Sequence, residues 1–171
     1  SGKTSLAEAM LYISGSSERF GKVEDGTTVC DFDPEEIKRK ASVSSSAAPL
    51  PWGSTKINLL DTPGLFDFAA GVYEGVCAAE SVLITVSGKS GLTVGVEKAY
   101  KTAVEQNKAR MFFITKLDRE SADFYKVLEE LKGKFGPSVC PIVVPYVEDR
   151  QVVCYINLID MKAYTYDGSN A

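Results

Sequence analysis

The 171-residue chain is 44% hydrophobic and 25% charged, with a formal net charge of −4 and a pI near 5.0. That size and balance suit one globular domain, with room for a small appendage at most. The acidic balance argues against bulk attraction to nucleic acid, and no apolar run approaches the ~18 residues of a membrane span. No signal peptide is visible in these residues, and on charge and hydropathy neither a membrane nor a sequence-specific nucleic acid is expected as a partner. Lys38-Arg39-Lys40, the one basic run, reads as a solvated face. Cys30, Cys77, Cys140 and Cys154 show no C-x-x-C spacing, and the chain has no His, so a zinc site would need all four scattered thiolates. Each is read as a small buried hydrophobe, reduced, as in a cytoplasmic protein.

Ser1-Gly2-Lys3-Thr4 is followed by Leu6, Ala9, Met10 and Ile13 at i, i+3, i+4, i+7, which predicts an amphipathic helix ending near Gly15. A helix whose first turn holds Gly-Lys-Thr is the second half of a phosphate-binding loop. Its free N–H groups face phosphate, Lys3 neutralises β/γ charge and the Thr4 hydroxyl ligates Mg²⁺. Ser1, Gly2, Lys3, Thr4 and Ser5 are therefore the expected phosphate-side residues. A chance triplet is the alternative reading. Gly88-Lys89-Ser90 shows that hazard, because it also fits but has Leu83 where the motif's earlier Gly belongs.

Residues 15–30 are rich in Gly, Ser, Thr and charge and read as a surface loop. Asp33-Pro34 opens a short helix over Glu35 to Lys40, with Pro early. Ala41 to Ala48 is weakly strand-like and is expected to end at Pro49 and Pro51. A long polar loop in this place suits a switch segment that orders around a γ-phosphate and Mg²⁺, or else a plain flexible connection.

Ile57-Asn58-Leu59-Leu60 reads as strand and runs into Asp61-Thr62-Pro63-Gly64. A carboxylate at a strand's carboxyl end, then a turn closing in Gly, is the layout of a nucleotide-phosphate site. Asp61 reaches Mg²⁺ through water, and Gly64 lets a backbone N–H approach the terminal phosphate. The same four residues also make an ordinary β-turn. A helix carrying Val72, Val76 and Cys77 follows. Strand 82–86 precedes a helix carrying Val96, Ala99, Tyr100, Ala103 and Val104. Strand 111–114 precedes a helix carrying Phe124, Val127, Leu128 and Leu131, stopped by Gly136-Pro137. Continuous apolar strands alternating with amphipathic helices predict a buried, mostly parallel sheet with helices on both faces, and ligands bind such sheets outside the strand carboxyl ends.

Thr115-Lys116-Leu117-Asp118 falls at such an end. The Asp118 carboxylate accepts two parallel hydrogen bonds from guanine N1–H and its 2-amino group, which adenine does not offer, and the Lys116 stem lies along the purine ring. A strand end capped by Asp is the plain alternative. Beyond Pro137, Val139 to Tyr146 and Gln151 to Tyr155 read as strands joined by Glu148-Asp149-Arg150. Lys162 to Tyr166 reads as another, ending at Asp167-Gly168.

These three motifs, in this order, resemble the GTP-binding domain of elongation factor G and its close relatives among the translational GTPases. The likeness runs the full length, with Asp33 to Trp52 as the first switch and Ile156-Asn157-Leu158-Ile159-Asp160-Met161-Lys162-Ala163 like the start of the insert such domains carry. It implies an α/β P-loop NTPase three-layer sandwich over 1–137 and the beginning of a small inserted β-rich subdomain over 138–171. The sheet's first strand and the start of the phosphate loop fall before residue 1, so the sequence is read as a piece of a longer protein.

The resemblance also implies GTP/GDP and Mg²⁺ as cofactors, with Thr4, Ser42 and Asp61 on the metal side and the ribosome as partner. Lys3, Gly64 and position 65 would be catalytic. Three positions depart from the family. Ser42 stands at the switch threonine, Thr115 at the base-reading Asn, and Leu65 at the His that orients the attacking water. The family's Ser-Ala motif that contacts the guanine carbonyl lies beyond the insert and so is not among these residues, Ser121-Ala122 being too close to Asp118. The chain thus resembles elongation factor G-like paralogues. A GTP-hydrolysing switch, a GTP/GDP-sensing module with little hydrolysis and an ATP-using P-loop enzyme remain as readings, the last disfavoured by Asp118.

Overall fold

A computed structural model describes residues 1–148 and 151–165. Asp149 and Arg150 of the expected turn, and the expected strand end at Tyr166 with Asp167-Gly168, lie outside the described residues. In chain order the elements are α1 (Lys3–Ile13), α2 (Pro34–Arg39), β1 (Ser46–Trp52), β2 (Thr55–Asp61), a 3₁₀ turn (Phe66–Phe68), α3 (Ala69–Ala78), β3 (Ser81–Ser87), α4 (Val94–Glu105), β4 (Ala109–Thr115), α5 (Phe124–Phe135), β5 (Val143–Glu148), β6 (Gln151–Asn157) and β7 (Lys162–Tyr164). The chain packs as two compact units, Ser1–Thr85 with Val94–Phe113, and Val86–Thr93 with Ile114–Ala171. Strands β3 and β4 are hydrogen-bonded neighbours joined through α4, the crossover connection that a parallel pair requires.

In the first unit, β1 and β2 form an antiparallel hairpin in register from Ser46↔Asp61 to Trp52↔Thr55. The connection is Gly53-Ser54, with Gly53 at φ 59, the left-handed first corner that a two-residue hairpin of the II′ kind requires. The strand begins later than the sequence predicts and passes through Pro49 and Pro51 instead of ending there. Two residues apart, both prolines fall on the same class of cross-strand pair, with the missing N–H turned away from β2. A strand with one partner among the described residues tolerates them there.

Helix α1 packs on this hairpin through Ala7 and Leu11, which join Cys30, Ala48 and Leu50 in the core. Its buried face is Thr4, Ala7, Glu8 and Leu11. The face expected from Leu6, Ala9, Met10 and Ile13 is therefore displaced; Ile13 is 68% exposed. Both stripes have helical spacing, and two polar members hid the real one. Nor is 15–30 simply a surface loop, because Gly21, Thr28 and Cys30 are buried. Helix α2 opens as expected at Asp33, with a capping box to Glu36.

In the second unit, Asp123 caps α5 by accepting from the Lys126 N–H at 3.0 Å, and Val127, Leu128 and Leu131 are buried on that helix. Gly136, at φ 93, ends it. The strands β5, β6 and β7 form an antiparallel meander. The first of them starts at Val143, not Val139, after Pro141. The Asn157 side chain accepts from the Ile159 N–H at 2.9 Å and shapes the turn into β7.

Burial was expected of all four cysteines, but only Cys30 has it; Cys77 and Cys140 are exposed and Cys154 is intermediate. Burial, then the nearby Asp61 and Glu8 carboxylates, push the Cys30 thiol up to about 12. A thiol held so far above neutrality has almost no thiolate. Iodoacetamide at pH 7.5 should therefore label Cys77 and Cys140 while sparing Cys30, as read by peptide mass spectrometry. Equal labelling of Cys30 would contradict the packing. Among the described residues no helix is long and apolar enough to cross a membrane.

Candidate functional site

The site in the first unit starts at the N-terminus of α1. Gly2 is the N-cap at φ 85, a left-handed conformation that glycine adopts without strain, and no side chain caps the free N–H groups. Ser1 and Ser5 are exposed there, whereas Thr4 is buried. The Thr4 hydroxyl donates to Asp61 Oδ2 at 2.7 Å and lies 3.2 Å from Ser42 Oγ. The three residues expected on the metal side thus converge although 38 and 57 positions separate them from Thr4.

Lys3 sits against the turn that follows β2. A Cβ placed on Gly64 would stand 2.7 Å from the Lys3 ammonium, so a larger residue there would push the end of the Lys3 side chain aside. Burial lowers the Lys3 pKa, and the Asp61 and Asp31 charges work against that fall. Pro63 is fully buried, and the turn rests on the glycine face of α3. A Cβ on Gly71 would meet Pro63 Cδ at 3.3 Å and one on Gly75 would collide with Thr62. Leu65 is 46% exposed, in extended backbone at the cap of the 3₁₀ turn. Phe66 beyond it carries the Lys98 ammonium 4.7 Å from its ring centre.

Asp31 belongs to this cluster, and no motif in the sequence marks it. Its Oδ1 accepts from Ser42 Oγ at 2.6 Å, while its Oδ2 is buried without a hydrogen-bond partner. Glu36 shapes the same segment. One of its carboxylate oxygens accepts from the Asp33 N–H and the other from the Val43 and Ser44 N–H groups, folding the chain around Ser42. Burial raises the pKa of both Asp31 and Asp61. Hydroxyl and carboxylate oxygens are the hard donors that Mg²⁺ takes, and an orphaned buried carboxylate oxygen marks a place for a cation. Among the described residues no three His, Cys, Asp or Glu side chains gather to hold a metal by themselves.

The raised carboxyls have a thermodynamic consequence in protein free of metal and nucleotide. A folded carboxyl that holds its proton more tightly than the unfolded chain contributes stability that is complete below its ordinary value of 3.8. That contribution is lost as pH rises through the raised folded value. Asp31→Asn removes one such carboxylate and keeps an oxygen for Ser42. In EDTA, its melting temperature should exceed the native one at pH 7 and converge with it towards pH 4. A lower melting temperature for the variant at pH 7 would contradict the assigned cause.

The residues expected to read the base, Thr115, Lys116 and Asp118, lie in the second unit. Thr115 ends β4, where its hydroxyl donates to the Val86 carbonyl at 3.3 Å. The Gly88 N–H donates to the Thr115 carbonyl at 2.8 Å, and the Asp123 N–H to the Gly88 carbonyl at 3.1 Å. Gly88 thereby fastens both ends of the loop, and a Cβ on it would stand 2.8 Å from Leu117 Cδ2. Lys116 is left-handed at φ 59, a strain found at functional turns and invisible in composition. The Asp118 side chain is 76% exposed, with one loose contact to Arg119 Nε at 3.5 Å.

A helix opening on Gly-Lys-Thr, a buried Thr–Asp pair beside its lysine and a strand-end Asp-Thr-Pro-Gly turn define an α/β P-loop NTPase domain. Residues 1–170 match the elongation factor Tu GTP binding domain family, and the chain belongs to it. It is 34% identical over 98% of its length to an elongation factor G-like protein of Thermotoga maritima. It is 32% identical, again over 98%, to elongation factor G of Ureaplasma parvum, and 31% identical over 99% to a mitochondrial ribosome-releasing factor 2 of Culex quinquefasciatus. A crystal structure from Thermus thermophilus superposes on 98% of the chain with a TM-score of 0.92 at 39% identity, using 25% of that chain. The chain spans about a quarter of the length of these relatives. It is a GTP-binding domain of the elongation factor G-like kind.

Proposed function

We propose that this domain binds GTP with Mg²⁺ and hydrolyses its γ-phosphate as the switch of a cytoplasmic translation factor acting on the ribosome. The observation that carries the reading is the convergence of Thr4, Ser42 and Asp61 around one point beside the Lys3 ammonium. Residues 1–137 would form the GTP-binding core and 138–171 begin the inserted subdomain. Ser1 to Ser5 supply N–H groups and the Lys3 charge to the phosphates. Thr4, Ser42 and Asp61 hold the cation, with Asp31 facing it, and the Gly64 N–H meets the γ-phosphate. Bound Mg²⁺ would neutralise charge on the β- and γ-phosphate oxygens. Asp118 pairs with guanine, Lys116 covers the ring, and Thr115 holds the loop through Val86.

Leu65 favours a second reading, a GTP/GDP-sensing module with little hydrolysis of its own, since an apolar side chain stands where water must be oriented. GTP turnover by the intact protein, with and without ribosomes, separates the two. Nucleotide competition tests the shared premise: GTP should displace a fluorescent guanine nucleotide far more strongly than ATP does. Equal displacement would overturn the guanine assignment.

A further inference from the structure

We infer that Glu8 is a positioning residue for the metal side of the site, holding the Val29–Asp31 turn on α1 so that Asp31 faces Ser42 and Thr4. The inference rests on the nucleotide-binding reading above. Glu8 follows Thr4 by four residues, so the two side chains share one face of α1. It is 0% exposed. Its Oε1 accepts from the Val29 N–H at 2.6 Å and, more weakly, from the Cys30 N–H at 3.4 Å. Its Oε2 is buried without a partner, and a Cβ on Gly21 would collide with it and stand 2.7 Å from the Thr27 carbonyl oxygen. The loop closes directly over the carboxylate.

From that anchor the chain returns to α1 by a short route. The Asp31 N–H donates to Thr28 Oγ1 at 3.3 Å, Asp31 Oδ1 accepts from Ser42 Oγ at 2.6 Å, and Ser42 Oγ lies 3.2 Å from Thr4 Oγ1. The loop is thus fastened to α1 at two points one turn apart, Glu8 holding the backbone and Thr4 meeting the side chains. A buried carboxylate with one orphan oxygen is a costly way to fill space, where Leu or Met would pack without penalty. Its service is to two main-chain N–H groups that have no strand or helix to bond with. Losing it frees the backbone that places Asp31, while Lys3, Gly2 and the helix N-terminus stay intact. The damage should therefore fall on the metal dependence of binding and not on nucleotide affinity as such.

The test uses Glu8→Ala and Glu8→Gln in the intact protein, with GDP affinity measured against free Mg²⁺ and melting temperature followed in parallel. Removing a group that orients metal-side residues typically weakens metal affinity ~10–100-fold. Glu8→Ala should therefore need at least ~10-fold more Mg²⁺ to reach half its maximal tightening of GDP, with Mg²⁺-free affinity unchanged. Glu8→Gln keeps an accepting oxygen and should retain the native midpoint. A native midpoint in Glu8→Ala would overturn the inference, whatever its melting temperature. So would a Glu8→Gln midpoint displaced as far as that of Glu8→Ala. Should Glu8→Ala fail to fold, amide exchange in the native protein decides, since the Val29 N–H must exchange much more slowly than exposed loop amides. Exchange at their rate overturns the assignment. A native protein that binds no GDP at any Mg²⁺ concentration overturns the function proposed above, and Val29 exchange then judges Glu8 alone.

Discussion

Asp118→Asn in the intact protein should weaken guanine-nucleotide binding by at least ~10-fold and shift preference towards xanthine nucleotides. The carboxylate presents two acceptors to the two donors on guanine's edge. Asn turns one acceptor into an NH₂ group, which then opposes a donor. Xanthine carries a carbonyl where guanine has its 2-amino group, so it accepts from that NH₂. The native side chain gives up little to make these bonds, because it is 76% exposed and its contact to Arg119 Nε is loose and solvent-exposed. Its backbone is held by the Gly88 clamp on Thr115 and Asp123. Because the substitution touches a surface side chain, melting temperature should stay near native. Displacement of a fluorescent GDP analogue by GTP, XTP and ATP reads the effect. Unchanged GTP affinity in the variant would remove Asp118 from base recognition.

The legible parts of this domain were those in which one residue type carries one job. Gly-Lys-Thr, Asp-Thr-Pro-Gly and Thr-Lys-Leu-Asp are each short runs of adjacent residues, so the reading proposed for them could be drawn from the sequence. Thr4 and Asp61 come from two of these motifs, and Ser42 was expected beside them only through the family resemblance; the three side chains do converge. Pattern failed where polar residues are buried for the sake of other residues. On α1 the stripe of Leu6, Ala9, Met10 and Ile13 looked like the core face, but Thr4 and Glu8 occupy the true one because each serves the loop. Asp31 could not be distinguished from the other acids of 15–40 without knowing that a turn folds back on Glu8. Prolines at 49 and 51 looked like a strand end, because sequence alone does not say which side of a strand needs its N–H groups. The left-handed Lys116 leaves no mark in composition. In each case the missing information is a partner distant in sequence.

Leu65→His should raise ribosome-stimulated GTP hydrolysis while leaving nucleotide affinity nearly unchanged. Hydrolysis needs a polar group near the γ-phosphate to orient water, and a Leu side chain neither donates nor accepts a hydrogen bond. In the reading proposed above, phosphate and cation are held by others, Lys3, Thr4, Ser42, Asp61 and the Gly64 N–H, so binding should not depend on position 65. An effect on rate without an effect on affinity is the mark of an interaction made chiefly in the transition state. The site accepts the change, because Leu65 is 46% exposed. Polar substitutions at such positions alter stability little, so the variant's melting temperature serves as the control. The native protein should turn over slowly, on the scale of an unassisted GTPase, and respond to ribosomes less than the His variant does. Single-turnover hydrolysis on ribosomes decides between this and water held by Ser42 or by the ribosome itself. If native Leu65 protein is already as fast as Leu65→His, hydrolysis never depended on this side chain and the apolar residue is part of a working gate.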